Sequence, residues 1–277
     1  MLRLFARLPL SLAQRLGSVL GWALYGISPT YRRNLRANLA RAGYAADARV
    51  RRAAVAHAGR MLAETPAIWL RPQAEVAALV REVEGMERVS AAREQGKALL
   101  FLAPHMGCFE IAAQYASQQL PITVLYRAPK LAWLDPLMRE GRGRHNVRLV
   151  PADFHGVREL FSALKRGEAV GFLPDQVPGA GEGQWSEFFG RPAYTATLAP
   201  KLARRADLAC FLAYARRLPR GAGYRISIRP LPAPPAGADP VRYLNRALED
   251  LVRECPEQYL WGYNRYKTPR GARPKPT

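Results

Sequence analysis

Ala98-Leu-Leu-Phe-Leu-Ala-Pro-His-Met-Gly-Cys-Phe-Glu110 decides how the rest of the chain is read. Ala98 to Ala103 is an apolar run of strand length, and Pro104 stops its ladder. From Cys108 the pattern turns helical, with Phe109, Ala112, Ala113 and Ala116 recurring at helix spacing. His105 therefore falls on the loop after a buried strand, and Glu110 in the first turn of the next helix. In an open α/β sheet, ligands bind in the crevice at the carboxyl ends of the strands.

On one continuous helix, residues five apart point about 140° away from each other. His105 and Glu110 meet only if the chain bends between them, and Gly107 permits a bend. Two readings of the pair are open. In one, the imidazole takes a proton from an alcohol while the carboxylate fixes its tautomer and stabilises the imidazolium. In the other, Glu110 is a helix-start acid favouring the dipole, and His105 is an unrelated loop residue.

The 277 residues suffice for one large α/β domain or two small ones, and 49% hydrophobic residues allow a substantial core. Forty-two Lys+Arg against 22 Asp+Glu give a net charge of +20. That excess fits nucleic acid, an anionic membrane face, phosphorylated lipids or an acidic carrier protein, or is simply solvated. The three cysteines, Cys108, Cys210 and Cys255, form no C-x-x-C pair. This fits a reduced, cytosol-facing protein better than a disulfide scaffold or a zinc site.

Leu16 to Ile27 is apolar all round, with Gly17, Gly21 and Gly26 interspersed and arginines on both sides. It reads as a short or re-entrant membrane helix, an interfacial helix or a buried core helix. The flanking arginines favour membrane association. Tyr31 to Ala42 is a basic amphipathic helix. Asp47 to Ala63 is a longer one, carrying His57 as a surface or packing histidine, with Pro66 and Pro72 breaking up its end. Strands are expected at 122–126, 147–150, 169–173, 208–214 and 224–229, with helices at 86–95, 131–140, 157–165, 198–206 and 239–254. Alternation of this kind implies right-handed crossovers and a largely parallel sheet.

Arg127 ends the strand Ile122–Tyr126, level with His105 if the sheet is parallel, where it suits a phosphate or an oxyanion; a solvated surface arginine is the other reading. Arg139-Glu-Gly-Arg-Gly-Arg144 offers Arg142 and Arg144 beside glycines, an anion site or a basic loop. Phe172-Leu-Pro-Asp-Gln176 ends another buried strand with Asp175 at the crevice. A long loop then runs from Gly179 to Pro192. Its aromatic residues, with Tyr194, suit either an acyl channel or ordinary core packing. His145 and His155 have no ligand spacing, so no metal is assigned.

Together these residues resemble the lysophospholipid acyltransferase superfamily, and within it the late lipid A biosynthesis acyltransferases. The resemblance is carried by Tyr31-Arg-Arg-Asn-Leu-Arg-Ala-Asn-Leu39, by His105 to Glu110, by Tyr126-Arg127 and by Arg142-Gly-Arg144. Pro174-Asp-Gln176, Phe188-Phe-Gly-Arg-Pro192, Pro256-Glu-Gln-Tyr-Leu-Trp261 and Tyr266-Lys267 complete it. It implies an acyltransferase-like α/β fold, a mostly parallel sheet flanked by helices, with an N-terminal hydrophobic membrane-associating helix. The divisions expected are 1–45 for that helical region, 46–267 for the acyltransferase domain and 268–277 for a basic, disordered tail.

The resemblance further implies acyl transfer from acyl carrier protein to a hydroxyl of a phosphorylated lipid A precursor, without cofactor or acyl-enzyme, at the cytoplasmic face of the inner membrane. His105 becomes the general base and Glu110 its partner, with Arg127, Arg142, Arg144, Asp175 and Gln176 as substrate-binding candidates. The charge would steer both anionic partners and an anionic membrane surface. Relatives acting on another glycolipid or an aminolipid are the alternative. A basic nucleic-acid-binding protein is the rival from outside enzymology, and no helix-turn-helix pair, zinc spacing or RNP-like strand supports it.

Overall fold

The computed structural model describes residues 2–129 and 131–275. Four helices open the chain: α1 (Leu2–Ala6), α2 (Leu10–Ile27), α3 (Pro29–Arg41) and α4 (Ala48–Leu70). Then come α5 (Gln73–Ala78), β1 (Val80–Glu84), α6 (Met86–Glu94), β2 (Ala98–Leu102), α7 (Phe109–Ala116) and β3 (Ile122–Tyr126). The order continues with α8 (Asp135–Arg142), β4 (Val147–Pro151), α9 (Phe154–Lys165), β5 (Ala169–Phe172), β6 (Gly183–Phe188) and β7 (Arg191–Ala196). It closes with α10 (Leu198–Leu202), β8 (Leu208–Arg217), β9 (Tyr224–Pro230) and α11 (Pro240–Glu254).

Seven strands form one sheet in the order β1-β9-β8-β2-β5-β3-β4. The five from β8 to β4 are mutually parallel, while β9 runs antiparallel to β8 and β1 follows β9. The expected largely parallel α/β sheet is therefore present. β2 and β5 lie at its centre and are covered on both faces, which is why they read as unbroken apolar runs. One core joins α3, α9, α10 and α11 to the sheet, and the other joins α5, α6 and α7 to its opposite face. α11 buries Val241, Leu244, Leu248, Leu251 and Val252, an amphipathic stripe. Asp47, Asp153 and Asp239 cap α4, α9 and α11 by accepting backbone N–H bonds.

Two expectations need correction, and a third is narrowed. Pro66 does not break the second long helix, which continues to Leu70 with the proline inside it. Ile68 and Trp69 beyond the proline are buried in the core, so packing outweighs the lost backbone bond. The stretch 179–192 is not all loop: β6 and β7 pair there as an antiparallel hairpin. Its aromatics are packing residues, with Phe188 and Phe189 buried edge to face and Phe189 leaning on Trp261.

The third concerns the N-terminal region. No helix among the described residues is long and apolar enough to cross a membrane, so a spanning helix is not what the structure contains. The α2 glycines have a packing reason. A Cβ on Gly21 would lie 2.2 Å from the Val55 carbonyl oxygen, and one on Gly59 of α4 would lie 2.0 Å from that of Gly17. Backbones approaching this closely demand glycine on both helices. α2 thus turns Ala13, Gln14, Gly17 and Gly21 inward. The basic helix α3 is tied in by its asparagines: Asn34 donates to the carbonyl of Gly262, and Asn38 to those of Trp261 and Tyr263. Of the expected disordered tail, residues 276–277 lie outside the described residues. The part up to 275 has no helix or strand, and the Trp185 indole donates to the Arg273 carbonyl.

Candidate active site

His105 follows β2 at the carboxyl edge of the sheet, and its turn is clamped from two sides. Gly107 adopts φ +58°, and a Cβ there would lie 1.9 Å from the Ala215 carbonyl oxygen, so only glycine fits. The Gly107 N–H donates to the Gln258 carbonyl, and the Leu260 N–H donates to that of His105. The Pro256–Trp261 segment thus serves as a short backbone splint for the histidine turn.

The carboxylate that meets His105 is Asp175. His105 Nδ1 lies 2.7 Å from Asp175 Oδ1, and the His105 backbone N–H donates to Oδ2 at 2.9 Å. This follows from strand order: β2 and β5 are parallel neighbours with Leu102 opposite Phe172, so the two loops leave the sheet side by side. Burial alone would raise the Asp175 carboxyl. The imidazole, its two hydrogen bonds and the Arg265 guanidinium outweigh that and hold it below its ordinary value. An ionised Asp175 accepts from Nδ1–H and leaves the electron pair on Nε2. That nitrogen lies 3.0 Å from the Gln176 amide nitrogen, and the ring retains 14% exposure.

Glu110 does not hold His105 among the described residues, which corrects the expected pairing. It is buried in the first turn of α7 and accepts from both Nε and Nη2 of Arg142, a bidentate pair, and from the Trp69 indole. Burial alone would lower the Arg142 guanidinium, but the Glu110 carboxylate holds it above its ordinary value. Arg144 donates to the Trp69 carbonyl near the end of α4, satisfying an orphan helix-end acceptor. Arg127 is 64% exposed, and its one ion pair among the described residues is a long one with Glu182, at 3.9 Å. Arg142 and Arg144 are thus engaged in internal bonds and Arg127 faces solvent, whereas Asp175 and Gln176 both reach the imidazole.

Sequence reading missed what lies behind the turn. Glu64 of α4 and Arg217 of β8 form an ion pair with both side chains 1% exposed. Glu64 accepts from Arg217 Nε at 2.9 Å, from the Tyr224 hydroxyl at 2.9 Å and from the Gln14 amide at 3.2 Å. Arg217 Nη2 also donates to the Gly107 carbonyl at 2.8 Å, so the buried pair braces the histidine turn. Cys108 lies beside it, and burial raises its thiol well above its ordinary value. All three cysteines are free and buried.

A small cavity at His105 is lined by His57 and Met61 of α4, by Phe109 and by Leu260. Burial first, then Arg217, Arg60 and Arg216, lower His57 to about 2. Its pKa is thus depressed below the unfolded value of about 6.5, and the unfolded chain binds a proton that the native chain refuses. Stability contributed by keeping His57 neutral is present above pH about 6.5 and declines below it. Between pH 6.5 and 5 the expected loss from this residue is about 2 kcal/mol. Urea unfolding should show that loss in the native chain and not in a His57→Asn variant; parallel pH profiles would refute it.

A buried carboxylate on one imidazole nitrogen and a reachable second nitrogen, at the carboxyl edge of a mostly parallel sheet, define an α/β enzyme suited to drawing a proton from a hydroxyl. The chain belongs to the bacterial lipid A biosynthesis acyltransferase family, whose profile matches residues 1–268. It is 28% identical over 214 residues to the lipid A biosynthesis lauroyltransferase of Escherichia coli K12, covering 76% of this chain and 69% of that one. The palmitoleoyltransferase of the same strain is also 28% identical, over 213 residues. A lipid A biosynthesis acyltransferase of Haemophilus influenzae is 28% identical over 189 residues, 65% of this chain and 57% of that one. The protein is an acyltransferase.

Proposed function

We propose that the chain moves a fatty acyl group from the thioester of acyl carrier protein to a hydroxyl of a phosphorylated lipid A precursor, with His105 as general base. The observation that carries this is the His105–Asp175 contact. The hydroxyl proton passes to Nε2 as the oxygen attacks the thioester carbonyl carbon. The C–S bond then breaks, the proton moves from Nε2 to the departing sulfur, and an ester and a free thiol result. Asp175 fixes the ring and stabilises the imidazolium. The Gln176 amide, displaced from Nε2 by the hydroxyl, donates to the carbonyl oxygen as charge grows there. Met61, Phe109 and Leu260 receive the first carbons of the chain. Glu110 acts on Arg142, not on the base.

The enzyme works at the cytoplasmic face of the inner membrane. α2 supports this because beyond Leu10 its inward residues are small or polar, whereas Leu16, Val19, Leu20, Trp22 and Ile27 are exposed. Arg3, Arg7, Arg33 and Arg36 flank it and Arg15 lies within it, as suits an interfacial helix on anionic lipid. The net charge of +20 draws in an acidic carrier and a phosphorylated acceptor alike.

Acyl transfer from a labelled carrier thioester to the lipid acceptor, read by mass spectrometry, tests the reading. His105→Ala should lower the rate about a thousandfold. Cys108→Ser should keep most of it, because a buried thiol held in its neutral form is a poor nucleophile. The opposite ranking would establish an acyl-enzyme and refute the direct route.

A further inference from the structure

We propose that Leu131, Trp133 and Phe154 form a second bilayer-docking point, which with α2 seats the carboxyl edge of the sheet on an anionic membrane and leaves His105 between two supports. The proposal rests on the reading of the acceptor as a membrane lipid. Vesicle binding, which needs no catalysis, separates the two.

The three residues are 57%, 68% and 79% exposed. Leu131 and Trp133 lie on the connection leaving β3, and Phe154 opens α9 after β4. The two strands are parallel neighbours with Tyr126 opposite Pro151, and the Ala152 N–H donates to the Tyr126 carbonyl. The two connections that carry these side chains therefore leave the sheet side by side at one corner of its carboxyl edge. Every other large hydrophobic residue exposed among the described residues lies on α1, α2 or α4.

Those helices belong to the same edge. α4 passes His105 through His57 and Met61, and α2 packs on α4 through Gly17 and Gly21. Ser11 of α2 also touches Gly221 in the β8–β9 turn. Across the sheet the order is β9, β8, β2, β5, β3, β4. α2 thus covers the side toward β8 and β9, the new corner stands at β3 and β4, and the histidine follows β2 between them.

The chemistry favours lipid over a folded partner. The corner offers isolated loop-tip side chains, led by an indole, the group best suited to a headgroup boundary. Exposed Arg127 follows β3 and exposed Arg158 lies in the first turns of α9, on the same two connections as the apolar residues. The acids nearby are engaged: Asp135 with Tyr126 and Arg139, Glu159 with Arg148, and Asp153 as the α9 cap. The net charge of +20 favours an anionic bilayer over a neutral one.

The full chain should be floated with vesicles of phosphatidylethanolamine and phosphatidylglycerol. Trp133→Ser/Phe154→Ser should weaken partitioning about tenfold or more, with an unchanged melting temperature. Trp22→Phe leaves Trp133 as the most exposed indole, and brominated acyl chains should quench its emission. Trp22→Phe/Trp133→Phe should lose that quenching. Equal quenching in the two variants, or equal partitioning of the serine variant and the native chain, would overturn the proposal. So would intact partitioning with a raised KM for acyl carrier protein, which would give the corner to the carrier instead. If acyl transfer to lipid A precursors failed outright while the vesicle results held, the reading of the substrate would fall and the docking surface would remain.

Discussion

Asp175→Asn is expected to slow acyl transfer by about a thousandfold or more while the protein stays folded. The side chain faces two donors of one residue, the backbone N–H and ring Nδ1 of His105. An asparagine has one oxygen for them. If that oxygen keeps the backbone N–H, its NH2 group points at Nδ1, which must then accept. The ring proton moves to Nε2, and the electron pair needed for the hydroxyl is gone. Steady-state rates with saturating carrier and acceptor should show the loss in kcat, because no substrate-binding group is altered. A variant within a factor of ten of the native rate would mean that the carboxylate positions nothing of consequence.

Glu64→Ala is expected to be the most destabilising single change. It strands the Arg217 guanidinium in the interior, where burial alone would lower its pKa and Glu64 is the main group that keeps it raised. Removing one member of a buried pair costs about 3–5 kcal/mol, because the remaining charge is uncompensated. The Tyr224 hydroxyl and the Gln14 amide also lose their acceptor. Urea unfolding of the full chain should show the shift. Glu64→Met/Arg217→Leu, which removes both charges, should be less destabilised than Glu64→Ala alone. A loss under 1 kcal/mol for Glu64→Ala, or a double variant worse than the single, would contradict the pair's role as brace for the Gly107 turn.

Local pattern made most of the framework legible. β2, β3, β4, β5, β8 and β9 and the turn carrying His105 follow from apolar runs, Pro104 and Gly107. What it could not supply was strand order. Asp175 was visible as an acid at the end of a buried strand, but its meeting with His105 depends on β5 lying beside β2, and no spacing along the chain encodes that. Glu110 looked the better partner because it is near in sequence and because the resemblance gave it that role. Its actual partner, Arg142, arrives from α8 across the second core. The β6–β7 hairpin was hidden by the glycines before it and by Pro192 within it. The arginines around α2 pointed to a membrane, but the packing role of its glycines could not be read, because their partner Gly59 sits on another helix. Glu64 and Arg217, far apart in sequence and each unremarkable there, become informative only once both are found to be buried.

A double-mutant cycle on the acyl-transfer rate, with His105→Ala, Asp175→Asn and their combination, tests the central claim most directly. If Asp175 acts through the imidazole, the double variant should be no slower than His105→Ala, the two losses failing to add. Losses that multiply, or an alanine variant that keeps the native rate, would show that the His105–Asp175 pair is not the unit that activates the hydroxyl.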